Sequence, residues 1–341
     1  MSRSDVAGHP PTRMIPVLFL GLLVAGGGRQ PSLRDSDRIR LAEAFHLAQD
    51  VQDSIWTGWS EVPFAVLLVT PEHEFLVRHP HPSSDFTSLG YDSLVGSEVY
   101  ARPTSGRLAL NLLATFPAVQ GVNTVVMGQP EHTGKSSTFW VVTALHEHFH
   151  QLQYTRPDYA EAVAALGLSG GDETGMWQLN YPFPYDSSAV REPFVAYKGA
   201  LERALAAAGG PEERERARDY VAARRRLREA LGDADFRYLS FQIWQEGVAR
   251  YTELAVARAA AEWHEPLPAF RALEDFVPYA AAADTLRGRL VEEMATLDLA
   301  SWERLVFYPV GAVEALLLDV VRPGWRQRYF TRQFDLESPY E

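Results

Sequence analysis

The chain has 341 residues, 46% of them apolar, which is enough for one large or two modest domains with a substantial core. Its formal charge of −12 argues against a nucleic-acid or anionic-membrane partner. The lack of cysteine excludes disulfides and thiolate ligands. At the N-terminus, Arg3 and Arg13 precede an apolar run at 14–24 and small residues at 25–28. That pattern predicts a signal peptide over residues 1–28 and a secreted or periplasmic protein. The alternative is an uncleaved membrane anchor, although the run is short for a stable span.

Residues 35–56 follow as an amphipathic helix, with Leu41, Phe45, Ala48, Val51 and Ile55 on one stripe. Strand-like runs occur at 64–70, 74–78, 96–101, 108–115 and 122–128. Gly128 to Ser136 imitates a phosphate-binding loop, but five residues separate its glycines instead of four, and Pro130 and Glu131 would disturb the amide cradle. His79-Pro80-His81 reads as a proline-rich loop. From Ser137 onward helical patterns dominate. Residues 211–231 mix both signs of charge, as a solvated helix face does, and 312–321 is a late apolar helix with Phe307 to Gly311 as its strand-like or turn lead-in. The expected fold class is α+β, with a β-containing part at 29–136 and a helical part at 137–341 acting as one unit.

Residues 137–154 are apolar nearly all round, as a buried helix is. Inside them stands His146-Glu147-His148-Phe149-His150. At about 100° per residue, His146 and His150 fall about 40° apart on one face, with Gln153 near the same direction. Glu147 lies beside them, while His148 points to the far face and is expected to be structural. Two imidazoles one turn apart with an adjacent carboxylate are the minimal apparatus for holding zinc and activating its water.

A catalytic zinc site needs a third protein ligand. A third histidine after a glycine is excluded, because Gln153 and Arg156 occupy those two positions. A glutamate remains. Glu246, in Trp244-Gln245-Glu246-Gly247-Val248-Ala249-Arg250-Tyr251, is the best source; Glu173, in a glycine-flanked loop, is its rival.

His-Glu-x-x-His followed on a later helix by Glu-Gly-x-Ala-x-Tyr resembles the gluzincin branch of zinc metallopeptidases. The matching motifs cover about twenty residues. The resemblance implies a zincin-like architecture with the metal site between the two halves, and hydrolysis of a peptide or protein substrate. It implies Zn2+ on His146, His150 and Glu246, with Glu147 as general base. Glu253 would suit a supporting role behind the imidazoles, although Arg250 stands where the family has an acid. The donor for a developing oxyanion is sought among Tyr251, Tyr308 and His264, and Tyr308 is favoured because related families use a late tyrosine. The same resemblance makes residues 121–128 the edge strand that pairs with extended peptide. Two rivals stand beside this: a scaffold retaining a metal site without turnover, and an interaction domain with an accidental pentad.

Overall fold

The structure is a computed structural model and describes residues 31–336, so the expected signal segment lies outside the described residues. The described residues from Ser32 onward form one compact unit. The fold is α+β, with a single sheet in the N-terminal half and helices in the C-terminal half. No helix among the described residues is long and apolar enough to cross a membrane.

Helix α1 (Asp35–Ile55) opens the unit, followed by β1 (Val66–Val69), β2 (His73–Val77), β3 (Thr87–Asp92), β4 (Ser97–Pro103), β5 (Leu113–Val119) and β6 (Val122–Gly128). The sheet order is β3-β4-β2-β1-β6-β5, antiparallel except for the β1–β6 pair. Alternation along the strands splits their side chains between two cores. Val66, Leu68, Phe75, Val77, Val125 and Met127 face the main core. Leu67, Val69, Leu76 and Val126 face a smaller one, covered by Leu108, Leu110 and Leu112. Those leucines were expected in a strand over 108–115; all three instead belong to the loop that seals the outer face, and the strand starts at Leu113.

A second expectation is overturned here. The strand at 122–128 is not an edge, because β6 is paired on both sides, with β1 and with β5. The edge on that side is β5.

After β6 come α2 (Pro130–Thr133), α3 (Ser137–Tyr154), α4 (Tyr159–Ala165), α5 (Trp177–Asn180), α6 (Ser188–Ala207) and α7 (Glu213–Gln242), the last broken at Gly232. A π-helical turn (Ile243–Gly247) leads into α8 (Val248–Trp263), followed by α9 (Pro268–Arg271), α10 (Tyr279–Thr296), α11 (Leu299–Trp302) and α12 (Phe307–Val321). In α3, 16 of 18 residues are buried, as its apolar circumference demands. It is wedged between the sheet, α1 and α8. The turn-like lead-in expected at 307–311 is itself helical; Pro309 is tolerated there because first-turn amides have no intrahelical partner.

The π turn is held by a glycine contact. A Cβ on Gly247 would lie 2.5 Å from the Gly311 Cα, and one on Gly311 would lie 2.8 Å from the Ile243 carbonyl oxygen. Only hydrogen at both positions lets α12 cross this close. Gly311→Ala is expected to destabilise the fold by about 1–3 kcal/mol in denaturant unfolding, through forced separation of these backbones.

Helix α1 is tied to the β3–β4 hairpin by Arg38, whose Nε and Nη2 donate to the two oxygens of Asp92 at 2.5 and 3.1 Å. The Arg38 hydrogen bond, opposed by burial and helped by the Leu94 and Val95 amides, holds the Asp92 carboxyl below its usual range. A depressed folded-state pKa stabilises above the unfolded value and is lost as pH falls through the folded one. Asp92→Asn should therefore cost roughly 1 kcal/mol at neutral pH, screening included. The gap to wild type should close in strong acid, which urea titrations at the two pH values would read.

Candidate metal centre

Helix α3 carries His146, Glu147 and His150 into a cleft of about 1560 Å³. Its walls are the β5 edge, α3, the loop around Glu173, the π turn and the start of α12. The His146 and His150 rings stand 5.1 Å apart, nearly perpendicular. Across the cleft the π turn presents Glu246, and one ligand atom from each of His146, His150 and Glu246 falls within 4.8 Å of the other two. The His150 Nε2 to Glu246 Oε2 distance is 3.5 Å. Glu173, the rival, lines the cleft on an exposed loop and is not part of this group.

Why the ring of His150 points this way follows from Gln153. Its Nε2 donates to the Trp244 and Gln245 carbonyls at 3.3 and 3.1 Å, and lies 2.7 Å from the Tyr329 hydroxyl. With its nitrogen so engaged, its Oε1 must accept from His150 Nδ1, 2.7 Å away. That leaves Nε2 of His150 free toward Glu246. A π turn leaves carbonyls short of regular i+4 partners, and the amide of Gln153 serves two of them. One buried amide thus fixes both the imidazole and the backbone beside Glu246. No role in holding His150 was read for Gln153 from the sequence; its spacing of three from that residue was the available signal.

The electrostatics suit a cation. Burial and the neighbouring His150 push His146 down to about 4, so it is a neutral imidazole. Burial disfavours the charged forms of His150 and Glu246, but each offsets this for the other: the imidazole is raised and the carboxyl lowered. In the metal-free protein a proton on His150 supplies the positive charge that the carboxylate requires. Two imidazoles and a carboxylate, buried and convergent, are a donor set that fits zinc.

Burial pushes Glu147 up to about 7, with His150 opposing and Glu246 adding to the rise. Its Oε2 lies 2.9 Å from the Thr115 hydroxyl on β5, which is also 2.8 Å from the Glu147 carbonyl oxygen. Thr115 was not anticipated, and nothing in a strand sequence marks a threonine as facing the carboxylate of another element.

Of the three expected donors, Tyr308 alone lines the cleft. Its hydroxyl accepts from Arg304 Nη1 at 3.1 Å, and burial, reinforced by the Glu246 charge, raises its pKa so that it keeps its proton. Arg304 Nη1 is also 3.6 Å from Glu246 Oε1. The other two lie elsewhere: Tyr251 donates to Asp319 at 2.7 Å, and His264 sits between Glu43 and Asp50. Glu253 is buried near His146 but is held by Arg250 at 2.6 Å and Thr143 at 3.4 Å, not by an imidazole. The Arg250 that departs from the family pattern is therefore Glu253's own partner. His148 is structural in its contacts: its ring stacks on Phe64 at 3.9 Å, and burial lowers its pKa to about 3.

No protein-family model matches the chain, no curated protein matches it, and no solved structure matches it.

Gln153→Met should keep the side chain's bulk but free the His150 ring and remove the amide that ties the two π-turn carbonyls to it. Metal affinity, read by competition with a chromogenic chelator, is expected to fall about 10–100-fold.

Proposed function

We propose that the protein is a zinc-dependent hydrolase of peptide bonds with a zincin-like architecture. The observation that carries this reading is the convergence of His146, His150 and Glu246 within 4.8 Å, beside the buried carboxylate of Glu147. A structural zinc site uses four protein ligands and no adjacent base, whereas three ligands and a carboxylate suit hydrolysis.

Zinc bound by these three residues would lower the pKa of a water and polarise a substrate carbonyl. Glu147 is positioned beside the ligands and titrates near neutrality, so it can accept a proton from water and return it to a leaving amine. A cation at the site would lower that pKa and keep the carboxylate ready as a base. Tyr308 retains its proton and Arg304 its charge, so both are donors for a carbonyl oxygen that becomes negative. Thr115 holds Glu147 from the side of the sheet.

Extended peptide is the substrate class this cleft favours. The unpaired edge of β5 forms one wall, and a free strand edge offers backbone amides and carbonyls whatever the side-chain sequence. That role passes from β6, where the sequence put it, to its neighbour. Export completes the proposal and rests on the basic-then-apolar sequence of residues 1–28.

Two measurements test the proposal together. The purified chain should carry stoichiometric zinc and cleave a mixed peptide library in a chelator-sensitive way. Glu147→Gln should retain the metal and lose at least ~100-fold in kcat, because the proton acceptor is gone while the ligands stay. Full cleavage by that variant would remove Glu147 as the base. A metal-loaded wild type without turnover would favour the scaffold.

A further inference from the structure

We propose a second transition-metal site, separate from the cleft, formed by His46, Asp50 and His264 and tying α1 to the end of α8. It does not depend on the proposed peptidase activity.

His46 and Asp50 are one turn apart on α1, each with about a third of its side chain exposed (36% and 35%), while the His264 side chain is fully buried. His264 follows the last residue of α8, and its Nδ1 lies 2.6 Å from Asp50 Oδ2. His46 Nε2 approaches that same oxygen at 3.9 Å, and the two imidazole rings are 4.8 Å apart. One ligand atom from each of the three residues falls within 4.8 Å of the others.

The decisive feature is what stands behind His264. Its Nε2 is 3.0 Å from Glu43, a fully buried carboxylate that also accepts from the Tyr279 hydroxyl and the Leu267 amide, each at 2.9 Å. Glu43 has only acceptor oxygens there, so Nε2 must carry its proton toward it. The ring is thereby locked with Nδ1 facing Asp50 and His46; with no cation bound, Nδ1 donates to Asp50, and a cation would take the place of that proton. A buried carboxylate that fixes the tautomer and aims the other nitrogen outward is the arrangement that supports a metal-binding imidazole. His46 supplies the remaining clue. A structural imidazolium bridging Glu43 and Asp50 would be complete without it, yet a second imidazole is directed at the same carboxylate oxygen from one turn away, beyond hydrogen-bonding distance.

Two imidazoles and one carboxylate favour Zn2+, Co2+, Ni2+ or Cu2+ over Ca2+ and Mg2+. The exposed side of His46 and Asp50 leaves the remaining positions to water. Since α1 and α8 both pack against α3, a cation here would clamp the two helices that flank the cleft helix.

The test titrates Zn2+ into the chelator-stripped full chain by calorimetry. Two equivalents are expected in wild type, one in His46→Ala and one in His146→Ala. The partial exposure of His46 limits any folding defect in the variant, and circular dichroism checks this. As a second readout, Zn2+ should raise Tm in His146→Ala, and the rise should vanish when His46→Ala is added. A single equivalent untouched by His46→Ala, with the Tm rise intact in the double variant, overturns the second site. A single equivalent removed by His46→Ala but not by His146→Ala supports it, and shows that the cleft reading alone has failed.

Discussion

The structure depends on one constraint: a helix buried on nearly every side carries three histidines and a glutamate. Desolvating an isolated ionised group is costly, so each of these needs either a neutral state or a partner. His148 takes the first route, stacked on Phe64 and neutral. His150 takes the second, with Glu246 brought from about a hundred residues away in sequence to meet it. The surrounding fold is arranged around that meeting. Gln153 joins the imidazole to the π turn, and the contact of Gly247 with Gly311 lets α12 press the turn toward α3. The same crossing delivers Tyr308 and Arg304 to the cleft, since both belong to the chain that enters α12.

A pair of this kind also explains how these ligand atoms stay together without a cation. The proton on His150 and the charge of Arg304 balance Glu246, so the carboxylate is never left alone in a buried place. Under the proposed function, metal binding would exchange a proton for a cation without rebuilding the backbone. This is a physical reason for a preformed cleft, and preformed ligands are what catalysis by a bound cation requires.

Sequence periodicity was most legible where burial is uniform. Helix α3 has the predicted bounds because its apolar residues run round the whole circumference, and the directions of His146, His150 and His148 follow from 3.6 residues per turn. Elimination reached only a glutamate, since no thiolate exists and no third histidine stands at the motif's spacing; Glu246 was preferred to Glu173 for its helical setting and by the family resemblance. What the sequence concealed depends on tertiary contact. Strand β3 was missed because none of its residues is buried and they carry no alternation. Leu108, Leu110 and Leu112 alternate like a strand but cover a sheet as a loop. The π turn arises from the approach of Gly311, which is 64 residues beyond Gly247, and no local pattern records such a meeting. His264 was weighed for the wrong site: its chemistry was visible, but its partners Glu43 and Asp50 are more than 200 residues away.

The exchange of β6 for β5 as the free edge changes more than a label. Thr115 belongs to β5, and its hydroxyl touches both the carboxylate and the backbone carbonyl of Glu147. Strand edge and the Glu147 carboxylate are therefore mechanically one unit: a displacement of β5 moves the hydrogen bond that orients Glu147. Under the proposed function, a peptide that pairs with the β5 edge would rigidify the strand that steadies the base. Binding energy from peptide backbone remote from the scissile bond would then act on the reacting centre through a single threonine. With β6 as the edge, no such link would exist, because the threonine that holds Glu147 stands on β5.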